Sequence, residues 1–216
     1  MLPRGPLRAI LFDWDGTLLD SYQADARAYL GMFRTLGIPW GLEELERHYS
    51  PDWHQVYRAA AVPQERWTEA DRLWRSCYRD ERPVLQHGAS RVVHALARRY
   101  RLALVTSGSA VRVRTQLRAF GFDRLFAEQV FGDEVPRRKP HPAALRLALQ
   151  RLGVEPAASV YVGDAPEDVV MARRAGVTAI GVTGHSPVPQ RLRDSRPDAL
   201  IARITALPAL LARLGS

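Results

Sequence analysis

The strongest constraint on the fold is a short apolar segment followed by an amphipathic helical pattern, repeated along most of the chain. Four apolar segments of this kind occur, at residues 7–12, 102–105, 159–162 and 177–182. Helical periodicity occurs between and after them, at residues 90–99, 110–120, 142–152 and 166–175. Strands that alternate with helices predict an α/β fold, a doubly wound, mostly parallel, Rossmann-like sheet with helices on both faces.

Residues 20–83 interrupt this alternation. They contain consecutive helical patterns without an intervening strand, at residues 21–36, 42–49, 53–60 and 64–79. Four of the five tryptophans lie here, and they could form the core of a small bundle or line a pocket. We therefore predict a core domain of residues 1–19 and 84–216 and an inserted, all-helical cap domain of residues 20–83.

The composition of the chain excludes several classes of protein. Of its 216 residues, 46% are hydrophobic and 25% are charged, which is typical of a globular protein and not of a disordered chain, a collagen or a coiled coil. No apolar run approaches the ~20 residues of a membrane span, and the N-terminus lacks the pattern of a signal peptide. With Cys77 as the single cysteine, we expect no disulfide framework and a cytoplasmic protein. The sequence does not define the oligomeric state, and we expect a monomer or homodimer.

The net charge of +8 could suggest a nucleic-acid partner. However, Lys139 is the only lysine among the 31 basic residues, and the 30 arginines are scattered along the chain. This pattern indicates a general replacement of lysine by arginine, so nucleic-acid binding is disfavoured.

Two carboxylates follow the first predicted strand, in segment 12–18, which reads Phe-Asp-Trp-Asp-Gly-Thr-Leu. Gly16 lets the chain turn there, so that Asp13 and Asp15 can converge above the strand end. One carboxylate could then attack phosphorus while the other handles the proton of the leaving group. A solvated acidic turn would have the same residues.

Two further segments could bind an anion. Thr106, Ser107 and Gly108 end the second strand before a helix, where hydroxyls and free amides form an anion site or simply cap the helix. Lys139 precedes another helix and lies next to Pro140. An isolated lysine is usually solvated, but in a chain built with arginine it indicates a need for a compact ammonium group.

A final acidic segment follows the third strand. Asp164 precedes a predicted helix that starts with proline, and Glu167 and Asp168 lie just after that proline. Acids at this position are typical of helix capping. They could equally form a site for a hard cation together with the first carboxylates.

In order and spacing, these four segments resemble the four motifs of the haloacid dehalogenase superfamily, over residues 7–175. The helical insert is similar to the cap of the phosphoglycolate phosphatase and β-phosphoglucomutase branch, and residues 196–201 resemble the last strand of that branch. The resemblance implies a Mg²⁺-dependent phosphomonoester hydrolase that acts on a small phosphorylated metabolite through an aspartyl-phosphate.

The resemblance also implies roles for individual residues. Asp13 is the nucleophile, and Asp15 protonates the leaving oxygen and then deprotonates the attacking water. Mg²⁺ is held by the carboxylates of Asp13 and Asp164 and by the backbone carbonyl of Asp15.

The phosphoryl oxygens, by the same resemblance, are held by Thr106, by the adjacent amide of Ser107, and by Lys139. Asp168 orients Lys139 or a metal-bound water. These assignments agree with a transition state whose negative charge is neutralised by cations in a preorganised site.

Single residues distinguish a phosphatase from other enzymes of this superfamily. The dehalogenases lack the second aspartate, which is present here as Asp15, and phosphonoacetaldehyde hydrolases need a cap lysine, which residues 20–83 lack. A phosphosugar mutase of the β-phosphoglucomutase type keeps all four motifs and stays open. A non-catalytic phospho-acceptor is a weaker alternative, because receiver domains carry no helical cap after the first strand.

Substrate choice falls to the cap. His54 and Arg58 are four residues apart and therefore share a helix face, where with Tyr57 they could bind a carboxylate or a second phosphate. A solvated polar face would show the same pattern. Phosphoglycolate, pyrophosphate, a sugar phosphate and a nucleotide all remain possible substrates.

Overall fold

The main sheet of the computed structural model, which describes residues 6–214, has six parallel strands in the order β5-β4-β1-β6-β7-β8. These strands are β1 Ala9–Phe12, β4 Arg101–Val105, β5 Glu128–Val130, β6 Ser159–Gly163, β7 Thr178–Val182 and β8 Ala199–Ile201. The strand order reverses at β1, which pairs with β4 on one side and β6 on the other. In open parallel sheets, ligands bind outside the carboxyl ends of strands at such a reversal.

Helices cover both faces of this sheet. They are α5 Ala89–Ala97, α6 Ala110–Ala119, α7 Ala143–Leu152, α8 Pro166–Ala175, α9 Pro189–Asp194 and α10 Leu207–Leu214. Because side chains alternate along a strand, Ile10 and Phe12 of β1 enter one hydrophobic core, whereas Ala9 and Leu11 enter a second core on the opposite face. The predicted doubly wound α/β fold is confirmed.

The segment between β1 and α5 contains four helices, α1 Tyr22–Leu36, α2 Leu42–His48, α3 Trp53–Ala59 and α4 Trp67–Tyr78. They have their own core around the buried Met32 and Phe33, against which Trp40, Trp53, Trp67 and Trp74 pack. A short antiparallel pair, β2 Leu19–Asp20 with β3 Val84–Leu85, brackets these helices. This helical insert agrees with the expected cap, and its status as a separate domain stays a prediction.

Several elements differ from the sequence-based expectation. Strand β5 was not predicted, because only Val130 of its three residues is apolar and fully buried at this sheet edge. The pair β2–β3 and the short helices α9 and α10 were also missed. Helix α4 begins at Trp67, after a 3₁₀ turn at Gln64–Arg66, and not at residue 64.

None of the helices within residues 6–214 combines the length and apolarity needed to cross a membrane.

Candidate active site

The strand register brings the predicted motifs to one edge of the sheet. Phe12 lies opposite Leu104 of β4 and Val162 of β6, so the residues that follow these strands emerge side by side. Asp13 is the first residue after β1, and its amide donates to the carbonyl of Val162 at 2.9 Å. The functional side chains therefore come from separate strands of a rigid sheet.

The turn after Asp13 depends on Gly16, whose φ of +78° lies in the left-handed region. A Cβ at this position would overlap the carboxyl group of Asp164. The turn is closed by the Gly16 amide, which donates to the carbonyl of Leu19 at 2.8 Å. Glycine is needed here both for the backbone conformation and for the close approach of two motifs.

Lys139 lies between two buried carboxylates. Its Nζ is 2.6 Å from Oδ1 of Asp13 and 2.8 Å from Oδ1 of Asp168, and its side chain is only 2% exposed. Burial by itself lowers the pKa of Lys139, but the two carboxylates raise the pKa above its ordinary value. The ammonium group therefore stays charged within the site.

Asp168 is itself held in place by its neighbours. The amide of Ala165 donates to Oδ2 of Asp168 at 3.1 Å, and the hydroxyl of Tyr161 lies 3.2 Å from Oδ1. These contacts fix the carboxylate that contacts Lys139, which agrees with the predicted orienting role.

Carboxylate oxygens of Asp13, Asp164 and Asp168 lie within 4.8 Å of one another, and all three residues are buried. The hydroxyl of Thr17 donates to Oδ1 of Asp164 at 2.9 Å. Burial raises the pKa of Asp13 to about 7, because the attraction of Lys139 offsets the desolvation only in part. Burial and the nearby Asp13 also raise the pKa of Asp164 well above its ordinary range.

The same cluster fits a divalent cation. Three carboxylates share one ammonium group, so the cluster lacks positive charge for its buried oxygens. Hard oxygen donors of this kind are the ligands that Mg²⁺ prefers. The cluster contains the carboxylate of Asp168, which was expected only to orient its neighbours, and not that of Asp15.

Thr106 and Ser107 directly follow β4, at the same edge of the sheet as Asp13 and Asp164. The amide of Gly108 donates to Oγ1 of Thr106 at 3.0 Å, which holds the hydroxyl at the strand end. Oγ of Ser107 is buried and has no hydrogen-bond partner among the described residues. A buried hydroxyl without a partner carries a free-energy cost that a bound anion would remove.

Arg112 of α6 is a site residue that was not identified from the sequence. Its guanidinium donates to both carboxylate oxygens of Asp15, with Nη1–Oδ1 of 2.9 Å and Nη2–Oδ2 of 2.6 Å. Burial by itself raises the pKa of Asp15, but the charge and hydrogen bonds of Arg112 lower it below its ordinary value. Arginine is the commonest basic residue of this chain, so composition gave no signal for this position.

A cavity of about 140 Å³ lies between the helical insert and the strand ends. Its floor is formed by residues of three of the four motifs, namely Asp13, Asp15, Thr106, Ser107 and Asp164. The insert contributes mainly acidic and aromatic side chains from α1, α3 and α4 and from the segment before α3. Asp13 and Asp15 therefore face the same space as the helical insert, whereas Lys139 lies behind Asp13 and does not line the cavity.

His54 and Arg58 do not line this cavity, in contrast to the role predicted for them. They share a face of α3, as expected, but that face is turned to Trp67, on which His54 stacks at 4.4 Å and over which Arg58 lies at 5.2 Å. Tyr57 does line the cavity, and its hydroxyl donates to Asp71 at 3.0 Å. The cap contacts the cavity through other residues.

Polar and cation–π contacts join the insert to the core beside the cavity. The guanidinium of Arg138 lies 3.8 Å from the ring centroid of Trp53 and 3.0 Å from Nδ1 of His54. On the other side, the hydroxyl of Ser50 donates to Glu167 at 2.9 Å. Arg138 therefore binds the insert and is not a free surface cation.

The family model of haloacid dehalogenase-like hydrolases matches residues 10–182. A probable phosphatase, IndB, of Dickeya dadantii is 31% identical over 210 residues, which cover 89% of this chain and 88% of that protein. A phosphoglycolate phosphatase of Pseudomonas putida is 33% identical over 188 residues, which cover 82% of this chain and 69% of the relative.

Among solved structures, a predicted phosphoglycolate phosphatase of Haemophilus somnus is similar with a TM-score of 0.82 at 25% identity, over 94% of this chain and 97% of the other. The chain belongs to the haloacid dehalogenase-like hydrolase family. Its resemblance to the phosphoglycolate phosphatase branch, and the prediction of an enzyme of the phosphatase type, are confirmed.

Proposed function

We propose that this protein is a Mg²⁺-dependent phosphomonoester hydrolase that acts through an aspartyl-phosphate on Asp13. One observation carries the proposal, namely the buried carboxylate of Asp13 at the floor of the cavity, in contact with Lys139 and beside Asp164. A nucleophile placed among fixed cation-binding groups is what phosphoryl transfer requires. A small phosphorylated metabolite is the substrate class that fits the cavity.

In the first step, an oxygen of Asp13 attacks phosphorus, and the bond from phosphorus to the ester oxygen breaks. Asp15, which Arg112 keeps ionised in the free protein, takes up a proton when the substrate binds and gives it to the departing oxygen, so the alcohol leaves neutral. Water then attacks the aspartyl-phosphate, and Asp15 takes a proton from this water. Inorganic phosphate is released, and both carboxyl groups return to their initial states.

Lys139, Thr106 and Ser107 bind the phosphoryl oxygens in this proposal. Asp168 keeps Lys139 next to Asp13, as supported by the 2.8 Å contact. The carboxylates of Asp13 and Asp164 and the backbone carbonyl of Asp15 would hold Mg²⁺. When bound, Mg²⁺ would neutralise charge on the phosphoryl oxygens and on the carboxylates.

The test is release of phosphate from a generic aryl phosphate. We expect the wild-type protein to release phosphate with Mg²⁺ and to stop when the metal is chelated, and Asp13→Asn to abolish release without changing the melting temperature by more than a few degrees. An undiminished rate in Asp13→Asn would contradict the proposal.

A phosphosugar mutase is the alternative that shares these motifs. Conversion of a hexose 1-phosphate into its 6-phosphate, with little free phosphate, would favour it over hydrolysis. Cytoplasmic residence remains part of the proposal, on the ground of the single Cys77.

A further inference from the structure

The part of the cavity formed by the insert has mainly aromatic walls, to which Tyr29, Tyr57, Trp53 and Trp74 contribute. If Asp13 attacks phosphorus, the alcohol part of the ester must lie here, so the inference that follows rests on the proposed function. The whole cavity, at about 140 Å³, is close to an engineered cavity of ~150 Å³ that holds benzene. An alcohol with a short chain or one small ring fits this space.

This part of the cavity is short of positive charge. Two acids of the insert, Asp25 of α1 and Asp71 of α4, line the cavity. Among the lining residues that the structure describes, the insert contributes one basic residue, Arg75, and its side chain is exposed. Arg112 also reaches the cavity, but its guanidinium is held by Asp15 through two hydrogen bonds. A second carboxylate or phosphate on the substrate would meet two acids and one solvated cation.

The carboxylates of Asp25 and Asp71 can accept further hydrogen bonds. The hydroxyl of Tyr49 donates to Oδ2 of Asp25 at 3.1 Å, and that of Tyr57 donates to Oδ1 of Asp71 at 3.0 Å. A carboxylate accepts up to about four hydrogen bonds, so each can accept more from a ligand.

The aromatic wall supplies donors as well. The indole nitrogen of Trp53 is buried and has no hydrogen-bond partner among the described residues, whereas that of Trp74 interacts with Asp25. Buried donors are rarely left in this state, because the cost of desolvation is then not offset. The wall can thus both accept and donate hydrogen bonds without offering net positive charge.

We propose that the protein selects phosphate esters of small, uncharged, hydroxylated alcohols, such as polyols or sugars, and rejects esters that carry a second negative charge. Asp25 and Asp71 accept hydrogen bonds from the hydroxyl groups, and the aromatic rings pack against the carbon atoms of the alcohol. At pH 8, where Asp25 has lost its proton, the same two carboxylates repel a carboxylate or a second phosphate, so attraction and repulsion both contribute to specificity.

The first test compares glycerol 3-phosphate and ribose 5-phosphate with 2-phosphoglycolate at pH 8. We expect kcat/KM to be at least about tenfold higher for one of the two neutral-alcohol esters than for 2-phosphoglycolate. Equal or faster turnover of 2-phosphoglycolate would overturn the inference.

The second test replaces single acids by amides of the same size. In Asp25→Asn, we expect KM for the preferred neutral-alcohol ester to rise and KM for 2-phosphoglycolate to fall, with Asp71→Asn acting in the same direction. Asp80→Asn, at an exposed acid of the insert outside the cavity lining, is the matched control and leaves both values unchanged. An unaltered KM ratio in both cavity variants would also overturn the inference.

Binding to Asp13→Asn, measured by calorimetry with Mg²⁺, separates this inference from the proposed function. Tighter binding of 2-phosphoglycolate than of either neutral-alcohol ester overturns the inference, whatever the rate of turnover. Absence of phosphate release from every ester by the wild-type protein overturns the proposed function, and the order of binding then still decides the inference.

Discussion

The carboxylate of Asp15 is held by Arg112, a residue 97 positions later in the chain, through two hydrogen bonds of 2.6 and 2.9 Å. The same guanidinium lies 5.3 Å from the ring centroid of Tyr78, at the end of α4. Arg112 therefore connects the proposed proton-transfer residue to the helical insert. We infer that it positions Asp15.

Replacing Arg112 by glutamine should reduce turnover without removing the nucleophile. We expect kcat for an alkyl phosphate to fall at least about tenfold, because a carboxyl group without a fixed orientation transfers protons poorly. An aryl phosphate, whose leaving group needs less protonation, should lose less. The measurement is kcat for both esters in Arg112→Gln, with Arg112→Lys as the variant that keeps the charge. Equal losses for the two esters would contradict a role through Asp15.

Lys139 should not be replaceable by arginine, although arginine is the basic residue used everywhere else in the chain. The ammonium lies in a buried space between Asp13 and Asp168, where a planar guanidinium is too large. We expect Lys139→Arg to lower kcat/KM by about 100-fold or more. Phosphate release together with the melting temperature measures the effect, and activity near that of the wild type would refute the requirement.

Gly16 and Gly37 provide a matched pair of substitutions. Both have a positive φ, +78° and +73°, but a Cβ at Gly16 meets the carboxyl of Asp164, whereas one at Gly37 meets nothing within 4 Å. Gly37→Ala should lose about 1–2 kcal/mol of stability and keep its activity. Gly16→Ala should also displace Asp164 and lose most phosphate release. Similar activity in the two variants would show that the contact between the motifs is unimportant.

The titration of Asp25 makes the free energy of unfolding depend on pH. Burial, with a further contribution from Asp15, raises its pKa from 3.8 to about 7, so the folded protein binds a proton that the unfolded chain releases above pH 4. The stability associated with this proton is present below pH 4 and is lost as the pH rises towards 7.

Asp25→Asn removes this titration. Its unfolding free energy, relative to the wild type, should therefore rise between pH 4 and pH 7 and exceed the wild-type value at pH 8 by about 1 kcal/mol or more. Denaturant unfolding at pH 4, 6 and 8 checks the trend, because other titrating groups cancel in the comparison. A difference that is constant with pH would contradict the raised pKa.

The motif side chains could be placed from the sequence because of a property of parallel sheets. Asp13, Thr106 and Asp164 each follow an apolar strand, and neighbouring parallel strands end at the same edge. Strand recognition was therefore enough to bring these residues together. The turn at Gly16 was predictable as well, because glycine is the residue type that adopts a positive φ most readily.

Residues on helices were harder to predict. Arg112 is one of 30 arginines, and its contact with Asp15 depends on how α6 packs against the sheet. The face that α3 presents to the cavity depends on the packing of Trp67 inside the insert, so His54 and Arg58, proposed from the sequence to bind substrate, lie outside the lining. Local periodicity defines a helix face but not the partner of that face.

The most direct test of the central claim is covalent labelling of Asp13 by the substrate. The wild-type protein and Asp15→Asn are mixed with Mg²⁺ and an aryl phosphate labelled in its phosphoryl group, and the reaction is stopped by denaturation. We predict label on Asp13, more of it in Asp15→Asn because hydrolysis of the intermediate is slowed, and none in Asp13→Asn. Phosphate release by the wild type without label in either protein, or label on another residue, would contradict the account.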